Sequence, residues 1–238
     1  MLNKYKYIFS ALLFFLFVTA TFYVSNMSYT SQVKEVFNVA DLISNCKIKK
    51  ISESNQKYDI TVFYPETEYT NLNEKIYDKM QEFIQDFKDE VTEYESISGN
   101  KLKLEINFSP YEYENYFSYS FEIFNDFGGA HPNTTVWTVS YNIKDKQIVD
   151  INYLIGKNKN IINILSEYTF SNLKENEKIK ENYLEEMLIE GTSPKKENFE
   201  NFVFTKEGLK IIFQRYSVAP YALGEFSVIV PYEKLDIL

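Results

Sequence analysis

The sequence predicts an α+β fold in which mostly antiparallel sheets pack with three helices, and three observations carry that expectation. Leu102, Leu104, Ile106 and Phe108 alternate with Lys101, Lys103, Glu105 and Asn107, the pattern of a strand with one wet face. Leu72, Ile76, Met80, Phe83, Ile84, Phe87 and Val91 recur at helical spacing on one face, a stripe that packs on a core. Further short strands follow, joined mainly by hairpin turns and interrupted by helical stretches, an order typical of α+β chains.

At 238 residues, with 45% hydrophobic, the chain has ample material for a packed core, which argues against global disorder. The 20 tyrosines carry meaning through their placement rather than their number, because genomic base composition alone can raise such counts. Lys4 and Lys6 precede any acid, so the part beyond residue 24 carries 23 basic and 34 acidic residues, a formal charge of -11. Such a domain repels phosphate backbones and favours cationic partners, which argues against nucleic-acid binding. Cys46 stands alone, so neither an intramolecular disulfide nor a cysteine-based metal cluster is possible.

Taken in order, Lys4 and Lys6 lead into Ile8 to Val24, an uncharged segment about long enough to span a bilayer. Residues 1–24 are therefore expected to be a membrane anchor or a signal peptide, with Val18-Thr19-Ala20 as a cleavage candidate. The run continues to Val24 and favours the anchor. The positive charge ahead of it puts the remaining chain outside the cytoplasm, in a single-pass protein, or a secreted one if the segment is cleaved. Residues 25–45 read as a stalk.

Lys47 to Ser52 and Tyr58 to Tyr64 read as strands, the second ended by Pro65. Asn71 is placed to cap the first helix, with Glu74 three residues on. Gly99-Asn100 turns the chain into the strand around residues 101–108. Ser109 to Tyr116 forms a hairpin connection in which Tyr111, Tyr113 and Tyr116 interleave with Glu112 and Glu114, either a surface for a basic partner or a solvated tip whose tyrosines lie on the sheet face. Residues 118–124 and 135–141 alternate as strands on either side of Phe127-Gly128-Gly129-Ala130-His131-Pro132-Asn133. Paired glycines and Pro132 suit a corner, since glycine accepts positive φ and proline fixes its own φ. Gln147 to Ile151 reads as a strand after the Lys144-Asp145-Lys146 turn. A second helix is expected from about Asn158 to Glu175 and a third from Ile179 to near Gly191. Phe199 to Thr205, Gly208 to Tyr216 and Glu225 to Tyr232 read as closing strands.

The block SYSFEIFNDFGGAHPNTTVWTVSYNIKDKQIVDINYLI resembles the junction in the extracytoplasmic modules of the anti-sigma factor RsiV and the peptidoglycan deacetylase PdaC, where a GGAHxN-like turn joins two strands. The stretch YDITVFYPETEYTNLNEKIYDKMQEFI resembles that family's first strand, YP turn and long helix, and FVFTKEGLKIIFQRYSVAPYALGEFSVIVPYEKL its closing strands. The resemblance spans roughly Ile51 to Leu235 and departs at Asn152 to Ile155, where the family carries an acidic pair. It implies a PdaC-like N-terminal half at 46–143 and an RsiV-like C-terminal half at 144–238, without the anti-sigma region or the catalytic deacetylase region.

His131 is the chain's single histidine, so a zinc site would need carboxylates as its other ligands, and no metal or cofactor is expected. Ser118, Ser120, Asp126 and Asp145 lie near His131 in sequence, which leaves a hydrolase using His131 as a minor alternative to a corner histidine. Arg215 is the single arginine, beside Tyr216 and Tyr221, and either pairs with a carboxylate or presents its fork to an anionic ligand. The candidate binding residues are thus Tyr111, Glu112, Tyr113, Glu114 and Tyr116 on the hairpin, Gly128, Gly129, His131 and Asn133 at the corner, and Arg215, Tyr216 and Tyr221. The expected function is a membrane-anchored extracytoplasmic binding module. The resemblance implies lysozyme as partner and the charge a basic protein in general; the alternative is a cell-wall glycan binder or accessory protein of an envelope hydrolase.

Overall fold

A computed structural model describes residues 46–93, 101–129, 131–181 and 185–238. The segment from Ile8 to Val24, the stalk and the Gly99-Asn100 turn lie outside the described residues. Among the described residues no helix is long and apolar enough to cross a membrane.

Strands β1 (Lys47–Ser54) and β2 (Tyr58–Glu66) form a hairpin whose turn is fixed by Asn55, its side-chain oxygen accepting from the backbone of Lys57 and Tyr58. Strand β2 runs through Pro65 rather than stopping before it. Its parallel pairing with β3 ends at Val62, so no ladder donor is required of the proline on that side. Helix α1 (Thr70–Glu93) then crosses over, and β3 (Leu102–Tyr113), β4 (Tyr116–Asp126), β5 (Asn133–Asn142) and β6 (Gln147–Val149) follow as an antiparallel meander. The six strands lie in sequence order, with β2 and β3 as the parallel pair.

The apolar stripe of α1 is buried as expected, with Leu72, Ile76, Met80, Ile84, Phe87 and Val91 packed on Ile60, Val62, Leu104, Ile106, Phe121 and Ile123. The helix begins one residue ahead of the expected cap. Asn71 instead lies in the first turn, where its oxygen accepts from Tyr141 Oη at 3.0 Å and its amide reaches Lys146 O. Asn73 clamps the preceding loop through three hydrogen bonds with Thr67.

Five helices, not three, appear among the described residues. Asp150 ends β6 and caps α2 (Ile151–Lys157), its carboxylate accepting from Tyr153 N at 2.9 Å. Asn158 stops that helix by donating to Leu235 O and accepting from Asn160 N, and α3 (Ile161–Lys174) restarts behind it. The expected third helix is described as α4 (Glu177–Glu181) and α5 (Glu185–Thr192).

Strands β7 (Phe202–Thr205), β8 (Gly208–Phe213) and β9 (Phe226–Val230) form a second antiparallel sheet. With the helices it encloses a second core containing Leu154, Leu165, Leu188, Phe199, Phe204, Phe213 and Val230. The edge of β7 meets the face of the first sheet. There, Phe204 N donates to Ser118 Oγ at 3.1 Å and Phe202 N to Thr138 Oγ1 at 3.0 Å, while the Ser118 and Ser140 hydroxyls lie 2.8 Å apart. The free edge of β5 is met by side chains that imitate a neighbouring strand. Asn201 Oδ1 accepts from Thr138 N, Gln214 Oε1 accepts from Val136 N at 2.8 Å, and Gln214 Nε2 donates to Val136 O. Residues 45–238 thus form one compact unit.

Ser118 is fully buried, so Ser118→Ala leaves the Phe204 amide without a partner. It is expected to lower unfolding free energy by about 1–3 kcal/mol in urea titration. Ser120→Ala, on the same strand but only half-buried, should stay within about 0.5 kcal/mol of the parent.

Candidate functional site

Two loops separated by some ninety residues meet at one end of the first sheet. The first is the corner between β4 and β5. Asp126 Oδ1 accepts from Gly128 N at 2.9 Å, and Gly128 adopts φ 68°, a left-handed conformation that glycine takes without strain. Gly129 is exposed with open space where a side chain would lie. His131, Pro132 and Asn133 are exposed.

The second loop follows β8, which ends at Phe213 rather than at Tyr216. Gln214 turns out of the strand to bind Val136, and Tyr216 takes φ 68°, which a strand does not accommodate. The bend packs closely on α5: a methyl group added at Gly191 would lie 2.0 Å from Ser217 O. Val218 and Ala219 are buried beneath it. Arg215, Tyr216 and Tyr221 are thereby held over the corner on an anchored loop.

Tyr221 is the hub of the contact. Its ring stacks on His131 with centroids 4.3 Å apart and planes at 24°, its hydroxyl donates to Pro132 O at 2.6 Å, and Arg215 Cζ lies 4.8 Å from its centroid. Tyr216 packs against it at 5.3 Å and remains 59% exposed. His131 Nδ1 lies 3.1 Å from Pro132 O. Among the described residues Arg215 forms no ion pair, so the carboxylate partner considered for it is not found there. Glu225 lies near enough to feel Arg215 and Lys210. Desolvation of its carboxyl nonetheless raises its pKa above the usual range, helped by Glu122, even though the residue as a whole is exposed.

The hairpin candidates lie at the other end of β4, about 30 Å away along the strand. Tyr116 is buried and stacks on Phe204 at 3.9 Å, and burial raises its pKa. Tyr113 stacks on Tyr232 at 4.6 Å with planes at 9°, and Tyr232 Oη donates to Thr205 O. Tyr111 is half-buried beneath Lys210, whose Nζ lies 5.9 Å from the ring centroid. Glu112 and Glu114 are exposed, Glu114 with φ 51° in the turn. Tyr113 and Tyr116 therefore join the two sheets, while His131, Arg215, Tyr216 and Tyr221 form a surface cluster.

Three of the four groups considered for a hydrolytic triad, all but Ser120, are engaged elsewhere. Ser118 is buried in the sheet junction, Asp126 caps Gly128, and Asp145 accepts from Asn142 and Tyr153. None of them hydrogen-bonds His131 among the described residues. No three His, Cys, Asp or Glu side chains gather to hold a metal ion among those residues. Gln214 is the positioning residue that pattern reading misses. The missing signal is spatial: the open amide and carbonyl of Val136 on a strand far away in sequence.

Tyr116→Ala is expected to destabilise the protein by about 3–5 kcal/mol, as truncation of a large buried ring does. Tyr221→Ala, at the surface, should cost about 1 kcal/mol, the scale of one lost hydrogen bond. Urea denaturation of the two variants measures both.

Residues 153–233, from α2 to the turn after β9, match the family described as Protein of unknown function (DUF3298). Arg215, Tyr216 and Tyr221 fall within that match, and His131 precedes it. The chain is 32% identical over 120 residues to the peptidoglycan-N-acetylmuramic acid deacetylase PdaC of Bacillus subtilis (strain 168), an alignment covering 49% of this chain and 25% of PdaC. The chain thus spans about a quarter of that relative's length. Among solved structures, a DUF3298 family protein of Pseudomonas aeruginosa PAO1 aligns with TM-score 0.56 at 10% identity, over 81% of this chain and 91% of the other, a likeness of fold. A DUF3298 member from Bacteroides fragilis NCTC 9343 aligns with TM-score 0.48 at 16% identity, over 79% and 91%. The α+β unit described above thus carries a DUF3298 domain at residues 153–233, in keeping with a PdaC/RsiV-like DUF3298 module.

Proposed function

We propose that the chain is an extracytoplasmic ligand-binding module, held at the membrane by its N-terminal hydrophobic segment, and that it takes cell-wall glycan at the corner built around Tyr221. The observation that carries this reading is the surface cluster of exposed His131 and Tyr216 with half-buried Arg215 and Tyr221, assembled from two anchored loops. Tyr216, 59% exposed and held against Tyr221, offers an apolar face at little entropic cost, and the C–H face of a pyranose packs on such a face. Similarity to a peptidoglycan deacetylase adds support for the same ligand class. Lys4 and Lys6 ahead of the apolar segment support the extracytoplasmic placement.

A second reading, a basic envelope protein such as lysozyme as ligand, draws on the formal charge of -11 beyond residue 24. The cationic side chain at the corner has the wrong sign for it, so such a partner would use acidic surface elsewhere.

Co-sedimentation of the full chain, in mild detergent, with purified peptidoglycan sacculi tests the glycan reading. Retention is expected, with Tyr221→Ala weakening it on the order of tenfold. Absence of retention, combined with salt-sensitive binding of a basic lysozyme in calorimetry, would replace the glycan with the protein partner.

A further inference from the structure

We propose that the guanidinium of Arg215 is a carboxylate-binding anchor, so that the glycan taken at the corner is an acidic one, with a carboxylate on or beside the sugar ring that stacks there. This inference rests on the glycan reading above and adds the chemistry of one subsite.

Arg215 is the single arginine of a chain whose other cationic side chains are mostly lysines. Lysines serve as solvated point charges, whereas a guanidinium presents a planar fork that matches a carboxylate with two parallel hydrogen bonds. Here that fork lies against the Tyr221 ring, with Cζ 4.8 Å from the centroid. A cation–π contact with the ring uses none of the guanidinium's five N–H donors as a conventional hydrogen bond. Among the described residues those donors reach no acceptor, and no carboxylate comes within ion-pair distance.

The surrounding charges are consistent with an unspent anchor. Glu225 lies within electrostatic range of Arg215, Lys210 and Glu122, and no ion pair joins it to Arg215. The Tyr221 ring is itself fixed by its hydroxyl on Pro132 O and by His131 beside it, so the fork is oriented before any ligand arrives. Pre-orientation removes part of the ordering cost of binding. Tyr216, 59% exposed and 5.3 Å from Tyr221, extends the apolar surface on which the sugar would lie.

Two sources supply a carboxylate to such a sugar: the lactyl ether of N-acetylmuramic acid freed of its peptide, and a uronic acid. Calorimetric titration of the full chain in mild detergent with three tetrasaccharides separates them. The probes are chitotetraose, which is neutral, alternating N-acetylglucosamine and N-acetylmuramic acid with free lactyl carboxylates, and alternating N-acetylglucosamine and glucuronic acid. At least one acidic probe is expected to bind on the order of tenfold more tightly than chitotetraose, the scale of a charge-assisted hydrogen bond. The tighter of the two identifies the source. Arg215→Gln should abolish that preference, so that neither acidic probe binds more tightly to the variant than chitotetraose does, and Arg215→Lys should recover only part of it. Equal affinity for all three probes, or a preference that survives Arg215→Gln, overturns the anchor while leaving the glycan reading intact. Binding of none of the three overturns both.

Discussion

The edge of β7 depends on three hydroxyls. Its outward amides, those of Phe202 and Phe204, point at the face of the first sheet rather than at another strand, and a buried amide left unpaired costs about 1–3 kcal/mol. Thr138 and Ser118 accept those two bonds, and Ser140 completes the group through Ser118. Small side chains are required as well as polar ones, because an edge can approach a sheet face this closely only where little volume stands on it. Tyr116 and Phe204, stacked at 3.9 Å, close the apolar seam beside the hydroxyls.

The same junction sets the position of the corner. Once β7 is seated, Asn201 just before it and Gln214 just after β8 fall along the free edge of β5, where they satisfy the amides of Thr138 and Val136. An open strand edge invites pairing with other chains, and these two amide side chains cover it. Gln214 therefore both protects the edge and starts the loop that carries Arg215, Tyr216 and Tyr221 over His131. A surface cluster drawn from residues 131 and 215–221 is a consequence of how two cores are joined.

Much of this was legible in the sequence, and the failures share a cause. Periodicity located the strands and the α1 stripe, because each element buries one face whatever covers it. The Gly128-Gly129 corner and the Arg215, Tyr216 and Tyr221 segment were singled out, and the fold brings them together. For the interleaved tyrosines of the hairpin the sequence leaves a partner surface and the sheet face open, and Tyr113 and Tyr116 take the sheet face, in the seam beside the second sheet. Alternation tells which side of a strand a residue occupies, not whether a second layer covers that side. Ser118, Thr138 and Ser140 were hidden for the same reason, since hydroxyls on one face of a strand read as a wet face. Asp150 was absorbed into a strand because a helix of seven residues has too little periodicity to announce itself; its capping bond to Tyr153 sets the boundary.

The central claim is that the Tyr221 corner, and not the tyrosine hairpin, is the ligand surface. The most direct measurement is the change in aromatic ring proton chemical shifts when soluble peptidoglycan fragments are added to the full chain. The account predicts shifts in His131, Tyr216 and Tyr221, with Tyr113 and Tyr116 unmoved. Shifts confined to Tyr111, Tyr113 and Tyr116, or none at the corner while the fragments bind, would contradict it.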